Sequence, residues 1–310
     1  VTAPGDNVVR GFSAGTNTAY ASTYDFTGSN LDTLHLPAPH AQHTVLDPGP
    51  QGSFDECGAW LESVYELTAT HWIGWYHAEH GCDYTTYATH MSMAFAESFN
   101  GGKTWQKSGY PRNQILTAPA EDSGSATLDQ AGDGSVVASN GYLYNVYVGA
   151  YQRIYVARAT TASEGKPGSW FKYYQGSFAQ PGLGGLQTPI AAAPGVTAYD
   201  TYVHAFVNIE VTAQFGFGLN ISLGADPTRW GAFANVIYPY ATYVGDPNND
   251  KWFAGTSPGQ IYNYPALIAP DGNSSQIGQT FYLYYLKVYK GGSLNGTRYP
   301  ISTHDLTRTK

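Results

Sequence analysis

The sequence predicts an all-β fold, a five-bladed β-propeller, on three observations: scarce helical periodicity, turn residues spread along the chain, and a strand–turn–strand layout recurring at blade-sized intervals. Among 310 residues there are 36 Gly and 18 Pro, so few windows could hold a long helix. Between them lie short runs of β-branched and aromatic residues, the pattern of strands.

Four runs share one layout. Glu62-Ser-Val-Tyr-Glu-Leu leads to His71-Trp-Ile-Gly-Trp-Tyr-His, and Asp133-Gly-Ser-Val-Val leads to Tyr142-Leu-Tyr-Asn-Val-Tyr-Val. Thr188-Pro-Ile-Ala-Ala leads to Tyr202-Val-His-Ala-Phe-Val, and Tyr264-Pro-Ala-Leu-Ile leads to Phe281-Tyr-Leu-Tyr-Tyr. Their first inward apolar residues, Val64, Val136, Ile190 and Ala266, are 72, 54 and 76 residues apart. Val8-Val9 followed by Ala19-Tyr-Ala-Ser-Thr-Tyr supplies a fifth unit, 56 residues before Val64. Repeats of about 50–75 residues with up to four strands each describe propeller blades, whose radial repetition leaves only short edges. Residues 1–310 then form one domain. An all-β sandwich or jelly roll is the alternative.

Third strands follow at Ser92-Met-Ala-Phe-Ala-Glu-Ser, Arg153-Ile-Tyr-Val-Ala-Arg-Ala and Gly218-Leu-Asn-Ile-Ser-Leu, each preceding a Trp at 105, 170 or 230. A large apolar plug is what an outer strand needs between neighbouring blades. Closure by a C-terminal strand near Arg298 to Ser302 would remove the exposed edges.

Charge and composition narrow the function. Only 12% of residues are charged, against roughly 25% in an average soluble domain, while 26 Tyr, 13 Phe and 7 Trp leave much of the surface to aromatic and hydroxyl groups. The net charge of −8 gives no basic field for a nucleic-acid backbone. No apolar run reaches the about 18 residues of a spanning helix. The chain begins at Val1 without a charged and then apolar leader, which reads as a mature exported product. Cys57 and Cys82 can form one bridge, as expected in an oxidising compartment. Sequons at Asn220, Asn273 and Asn295 agree with a secreted glycoprotein.

Ser98-Phe-Asn-Gly-Gly-Lys-Thr-Trp105 resembles the Asp-box of sialidases and related propellers, with Asn100 in place of the Asp. The resemblance implies a structural turn, not a catalyst. Asp133-Gly-Ser-Val-Val with the Tyr-rich, Val-Ala-Arg-Ala and Trp-Phe-Lys-Tyr-Tyr segments after it looks like a blade of the five-bladed glycosidases, the arabinanase, xylosidase and invertase group. In that group an acid opens the innermost strand and faces a central pocket. Here the third and fourth runs open on Thr188 and Tyr264, and no sialidase arginine triad can be placed.

Glycosidases need two carboxyls across the scissile bond. Glu62 and Asp133 open their runs, and either would serve as base or nucleophile; Glu210, ending Val-Asn-Ile-Glu, is the candidate acid. Asp122, Asp200 and Asp246 are further acids. Within Trp75-Tyr-His-Ala-Glu-His80, period two puts Trp75, His77 and Glu79 on one strand face, an expected wall of the sugar site, with Arg158 as a cation for a sugar carboxylate or for a neighbouring blade. His77 and His80 face opposite ways and the helical zinc signature is absent, so no metal site is expected. No cofactor is called for; a calcium ion on the propeller axis stays open. Tyrosine and tryptophan suit sugars, stacking with one face and bonding at the tip.

The expected function is therefore a secreted, monomeric glycoside hydrolase acting on a polysaccharide or oligosaccharide, without nucleic-acid or membrane partners. Two alternatives stand: a polysaccharide lyase acting on a uronate-containing glycan, with His77, Tyr84, His90 and Arg158 as players, and a non-catalytic sugar-binding propeller.

Overall fold

A computed structural model describes residues 8–14, 21–35, 44–83, 88–125, 128–190, 195–212, 218–231, 234–237, 260–289 and 293–302. Tyr84 and Asp246 lie outside these residues, as do the side chains of Cys82 and Glu210. The described residues form two compact units, Val1–Ala192 and Ala193–Lys310.

The first unit holds three antiparallel sheets. β1 (Val9–Ala14), β2 (Thr23–Gly28) and β3 (Thr44–Leu46) form one, in chain order. β4 (Gly58–Glu66), β5 (Trp72–Asp83), β6 (Ala88–Ser98) and β7 (Gln114–Leu116) form the second. β8 (Ala131–Ser139), β9 (Tyr142–Gly149), β10 (Arg153–Thr160), β11 (Phe171–Tyr174) and β12 (Ser177–Pro181) form the third, one strand more than the four expected. The Asn140-Gly141 turn between β8 and β9 has φ of 49° and 79°, the left-handed pair that a two-residue hairpin requires. Gln175 and Gly176 repeat it between β11 and β12, at 46° and 93°.

The second unit holds β13 (Gly195–Asp200), β14 (Ala205–Thr212), β15 (Gly218–Asp226), β16 (Arg229–Trp230) and β17 (Ala234–Ile237) in one sheet, and β18 (Gln260–Ile268), β20 (Thr280–Tyr289) and β21 (Ser293–Ser302) in another. The short β19 (Gln276–Ile277) runs parallel beside β13. The third run differs from expectation. Residues 188–190 carry no strand, and Pro189 there has no N–H for a ladder. Residues 201–204 turn instead of extending, because Asp200 Oδ1 accepts the N–H groups of Tyr202 and Val203 at 2.8 and 3.2 Å.

Tryptophans fill the spaces between successive sheets of the first unit. Trp105 packs with Val45, Leu46 and Trp72, and Phe12 meets it edge-on at 5.7 Å. Trp170 stands perpendicular to Trp75 at 6.1 Å, among residues of the second and third sheets. Upstream of Trp105, Asn100 Oδ1 accepts the Thr104 N–H at 3.0 Å and Ser98 Oγ accepts the Gly102 N–H at 2.9 Å, which closes the turn.

A second fixed point is Asp55, wholly buried. It pairs with Lys107 and accepts from Tyr76 at 3.2 Å, Tyr110 at 3.3 Å and Ser53 at 3.0 Å. Beside it Glu56 Oε1 accepts the Gly81 N–H and the Cys57 N–H donates to Glu79 O at 2.9 Å, so the 52–57 loop is tied to the end of β5. Removing one partner of a buried pair leaves the other charge uncompensated. Asp55→Ala is expected to cost about 3–5 kcal/mol, read as a lower denaturant midpoint. A loss under about 1 kcal/mol, the range of an exposed pair, would show that the network is dispensable.

Candidate active site

β4 and β8 are edge strands of the second and third sheets, and each carries a bulge at its acid. Across β4 and β5, Leu61 pairs with Tyr76 and Ser63 with Trp75, leaving Glu62 as the extra residue. Across β8 and β9, Gly132 pairs with Val148 and Ser135 with Val146, so Asp133 and Gly134 together face Tyr147. Asp133 has φ of 47°, a left-handed conformation that Asp tolerates better than most residues. A bulge re-aims a side chain, and both acids use one. They stand at bulges inside their strands, rather than at strand openings.

Side chains of β4 hold β8 in place: Gly134 N–H donates to Glu62 Oε2, and Val136 N–H donates to Ser63 Oγ at 2.8 Å. Gly132 permits the approach, since a Cβ there would lie 2.7 Å from His77 Cε1. His77, from β5, thus reaches both acids. Its Nδ1 is 2.9 Å from Asp133 Oδ1 and 3.8 Å from Glu62 Oε1, and its Nε2 is 3.1 Å from Glu79 Oε1. Trp60, the cross-strand partner of His77, meets its ring edge-on at 5.4 Å.

Protonation follows from these contacts. Burial alone would lower the pKa of His77, but the charge and hydrogen bond of Asp133, the bond to Glu79 and the charge of Glu62 raise it well above the usual value. A neutral ring could accept the Asp133 N–H, also 2.9 Å from Nδ1; an imidazolium donates to the Asp133 carboxylate instead. The Asp133 carboxylate and the hydrogen bond to Glu79 favour the imidazolium. Desolvation, and then the charge of Asp133, push Glu62 up to about 8, against the pull of His77 and the Gly134 N–H. Asp133 goes the other way: desolvation would raise it, but the His77 charge and hydrogen bonds from His77 and Glu62 hold it below the usual value. At neutral pH the site is a neutral Glu62, an anionic Asp133 and a cationic His77, with Asp133 still 55% exposed along its side chain.

Ligand atoms of Glu62, His77 and Asp133 all lie within 4.8 Å of one another. Carboxyl oxygens this close cannot also flank a glycosidic bond, which takes about 5–5.5 Å or 6.5–9.5 Å. They act as one unit. The same three atoms could converge on a cation, which would have to displace the protons of Glu62 and His77.

Other expected residues take different places. Trp75 is 1% exposed and its indole N–H donates to Gly165 O at 3.1 Å; it is core between two sheets, not a sugar platform. Glu79, 7% exposed, holds the His77 ring instead of lining an open site. Arg158 lies between the rings of Tyr142 and Phe178, 4.3 and 4.4 Å from their centroids, a cation–π stack. It pairs across to Tyr144, which faces Val137, four residues along β8 from Asp133, so about 13 Å of strand separates them. Asp200 caps a turn, and His90 faces Asp129 at 3.1 Å and stacks on His80 at 4.7 Å. Trp60 is the half-buried aromatic that sequence reading missed; extending β4 by one period-two step before Glu62 would have found it.

These sheets have the fold of five-bladed β-propeller enzymes. Among solved structures, the chain is similar to a glycosyl hydrolase from Bacteroides ovatus at a TM-score of 0.53 and 10% identity, over 96% of this chain and 80% of that one. It is also similar to the catalytic domain of the Coprinopsis cinerea GH62 α-L-arabinofuranosidase at 0.52 and 9%, over 94% and 86%. A third is the β-1,2-mannobiose phosphorylase from Listeria innocua, at 0.50 and 11%, over 93% and 68%. No family model matches the chain, and no curated protein matches it in sequence. At such identities the likeness carries the fold, not the residues.

Proposed function

We propose that the chain is a glycoside hydrolase acting on a polysaccharide or oligosaccharide, as a secreted monomeric single propeller domain. One observation carries this reading: two adjacent carboxyls on strand bulges in opposite protonation states, Glu62 kept neutral by desolvation and the charge of Asp133, and Asp133 kept anionic by a buried histidine. Environments that push paired acids apart assign roles. Asp133, anionic and open to solvent, is the base or nucleophile; Glu62, neutral, donates to it and fixes its orientation. Glu210 is the proposed acid. The fold likeness to hydrolases and a phosphorylase supports glycosyl transfer as the reaction class.

The lyase alternative needs a neutral base. His77 is raised well above its usual value with both ring nitrogens engaged, which counts against it. Incubation with a polysaccharide panel, read for reducing ends and for the ultraviolet absorbance of unsaturated uronates, tests the reading. New reducing ends without that absorbance are expected. Absorbance would mean a lyase, release that requires added phosphate a phosphorylase, and neither product a binding protein.

Export is proposed from the sequence: Cys57 and Cys82 are the two cysteines of the chain, a pair that suits an oxidising compartment. A Cys57–Cys82 bridge would close a loop of about 25 residues, worth roughly 3 kcal/mol. Titration of denatured, unreduced protein should find no free thiol; two would remove the bridge.

A further inference from the structure

We propose that the concavity at the β9–β10 turn is a second carbohydrate-binding site, built for a neutral glycan chain. It encloses about 560 Å³ and is lined by Glu121, Asp122, Tyr151, Arg153, Tyr174 and Gln187, among others. Neither Glu62, His77 nor Asp133 belongs to it.

Three observations point to a ligand. Tyr151 is 68% exposed, and it and Gln152 hold φ of 58° and 56°. Two successive non-glycine residues in the left-handed region are strained, and such strain gathers at functional sites. Here the strain presents an aromatic face to solvent beside the cavity. Gln187 is the second. Its Oε1 accepts from buried Tyr147 at 2.7 Å, which orients the amide, and its buried Nε2 has no acceptor. The segment cannot easily turn away, because Lys172 Nζ donates to Gly185 O at 2.9 Å and Ile190 N–H to Ile154 O at 2.8 Å. A buried donor without an acceptor is costly; Gln187 lines the cavity, and a small rotation of its amide toward the cavity would give Nε2 a ligand hydroxyl.

The third observation is the charge. None of the ion pairs among the described residues uses Glu121, Asp122 or Arg153. Carboxylates only accept hydrogen bonds, and guanidinium and amide N–H groups donate. Together they match a surface that both donates and accepts at closely spaced points, which is a run of sugar hydroxyls. Two acids against one arginine disfavour a uronate chain by like-charge repulsion. The face of Tyr151 suits the apolar face of a sugar ring.

Its place completes the argument. Gly149, which ends β9, pairs with Ala131, two residues before Asp133. The cavity therefore opens at the end of the sheet that carries the Asp133 bulge, and one chain could engage both. That shared engagement rests on the glycosidase reading; binding at the cavity does not.

Isothermal titration of the Asp133→Asn protein with xylohexaose, arabinohexaose, cellohexaose and, as the charged control, hexagalacturonate tests the site. At least one neutral hexasaccharide should bind. Tyr151→Asn, which tolerates the left-handed backbone, and Gln187→Ala should each weaken it about tenfold. Hexagalacturonate should bind more weakly than the neutral ligand. The proposal is overturned if no neutral hexasaccharide binds, if neither substitution weakens binding, or if hexagalacturonate binds as tightly. Neutral binding that needs Tyr151, in a protein whose wild type cleaves none of these chains, keeps this site and removes the glycosidase. Cleavage with binding indifferent to both substitutions does the reverse.

Discussion

Asp133→Asn lowers the turnover of a susceptible glycan by about 10²- to 10⁴-fold, the range of a general acid–base group. Asn suits a φ of 47° as well as Asp does, so the bulge survives while the charge is lost. Glu62→Gln keeps one donor toward Asp133 but cannot exchange a proton, and a loss of about a hundredfold is expected. Glu210→Gln should lose as much if its carboxyl is the opposing acid. The pH profile separates these roles. In wild type the rate falls as pH rises through about 8, where Glu62 ionises and sets a second negative charge against Asp133. It falls again in acid, below the ordinary carboxylate range, as Asp133 takes up a proton. In the Glu62→Gln protein the alkaline limb should disappear. Wild-type turnover in all three carboxamide variants would make these acids turn ligands and end the glycosidase reading.

Much of the architecture was legible because it is written in local pattern. The runs at Glu62, Asp133 and Tyr142 fall within β4, β8 and β9, and the Trp after each third strand marked real inter-sheet packing at 105 and 170. What escaped was set by single-residue events. A bulge adds one residue and shifts the period-two reading by one, so Glu62 looked like a strand opening, and Trp60, two residues earlier, was left outside the strand. Period two correctly placed Trp75, His77 and Glu79 on one face. It says nothing of depth along a strand, and depth makes Trp75 core, His77 the centre of the site and Glu79 its support. Arg158 escaped because a stack between Tyr142 and Phe178 joins residues 36 apart.

His77 is the residue whose role the structure enlarges most. Sequence reading made it a wall of the sugar site. With Nδ1 on Asp133 and Nε2 on Glu79, it supplies the positive charge that keeps Asp133 ionised. His77→Gln should therefore cost turnover about as much as losing Glu62, on the order of a hundredfold, although His77 itself touches no substrate in this mechanism. A merely structural histidine would not move the acid limb. Here that limb should shift to higher pH, because Asp133 loses the charge that lowers its pKa. Stability carries the same signature. Glu62 and His77 are both raised on folding, so the folded state binds more protons, and their contribution is lost as pH rises, for Glu62 between 4.5 and about 8. Asp133 is lowered, so its contribution is present above 3.8 and lost as pH falls below it. Without His77, Asp133 loses the charge that lowers its pKa, so its acid loss shrinks and melting temperature should fall less steeply as pH drops below the carboxylate range. Unchanged turnover with an unmoved acid limb in His77→Gln would show that Asp133 owes its ionisation to something else.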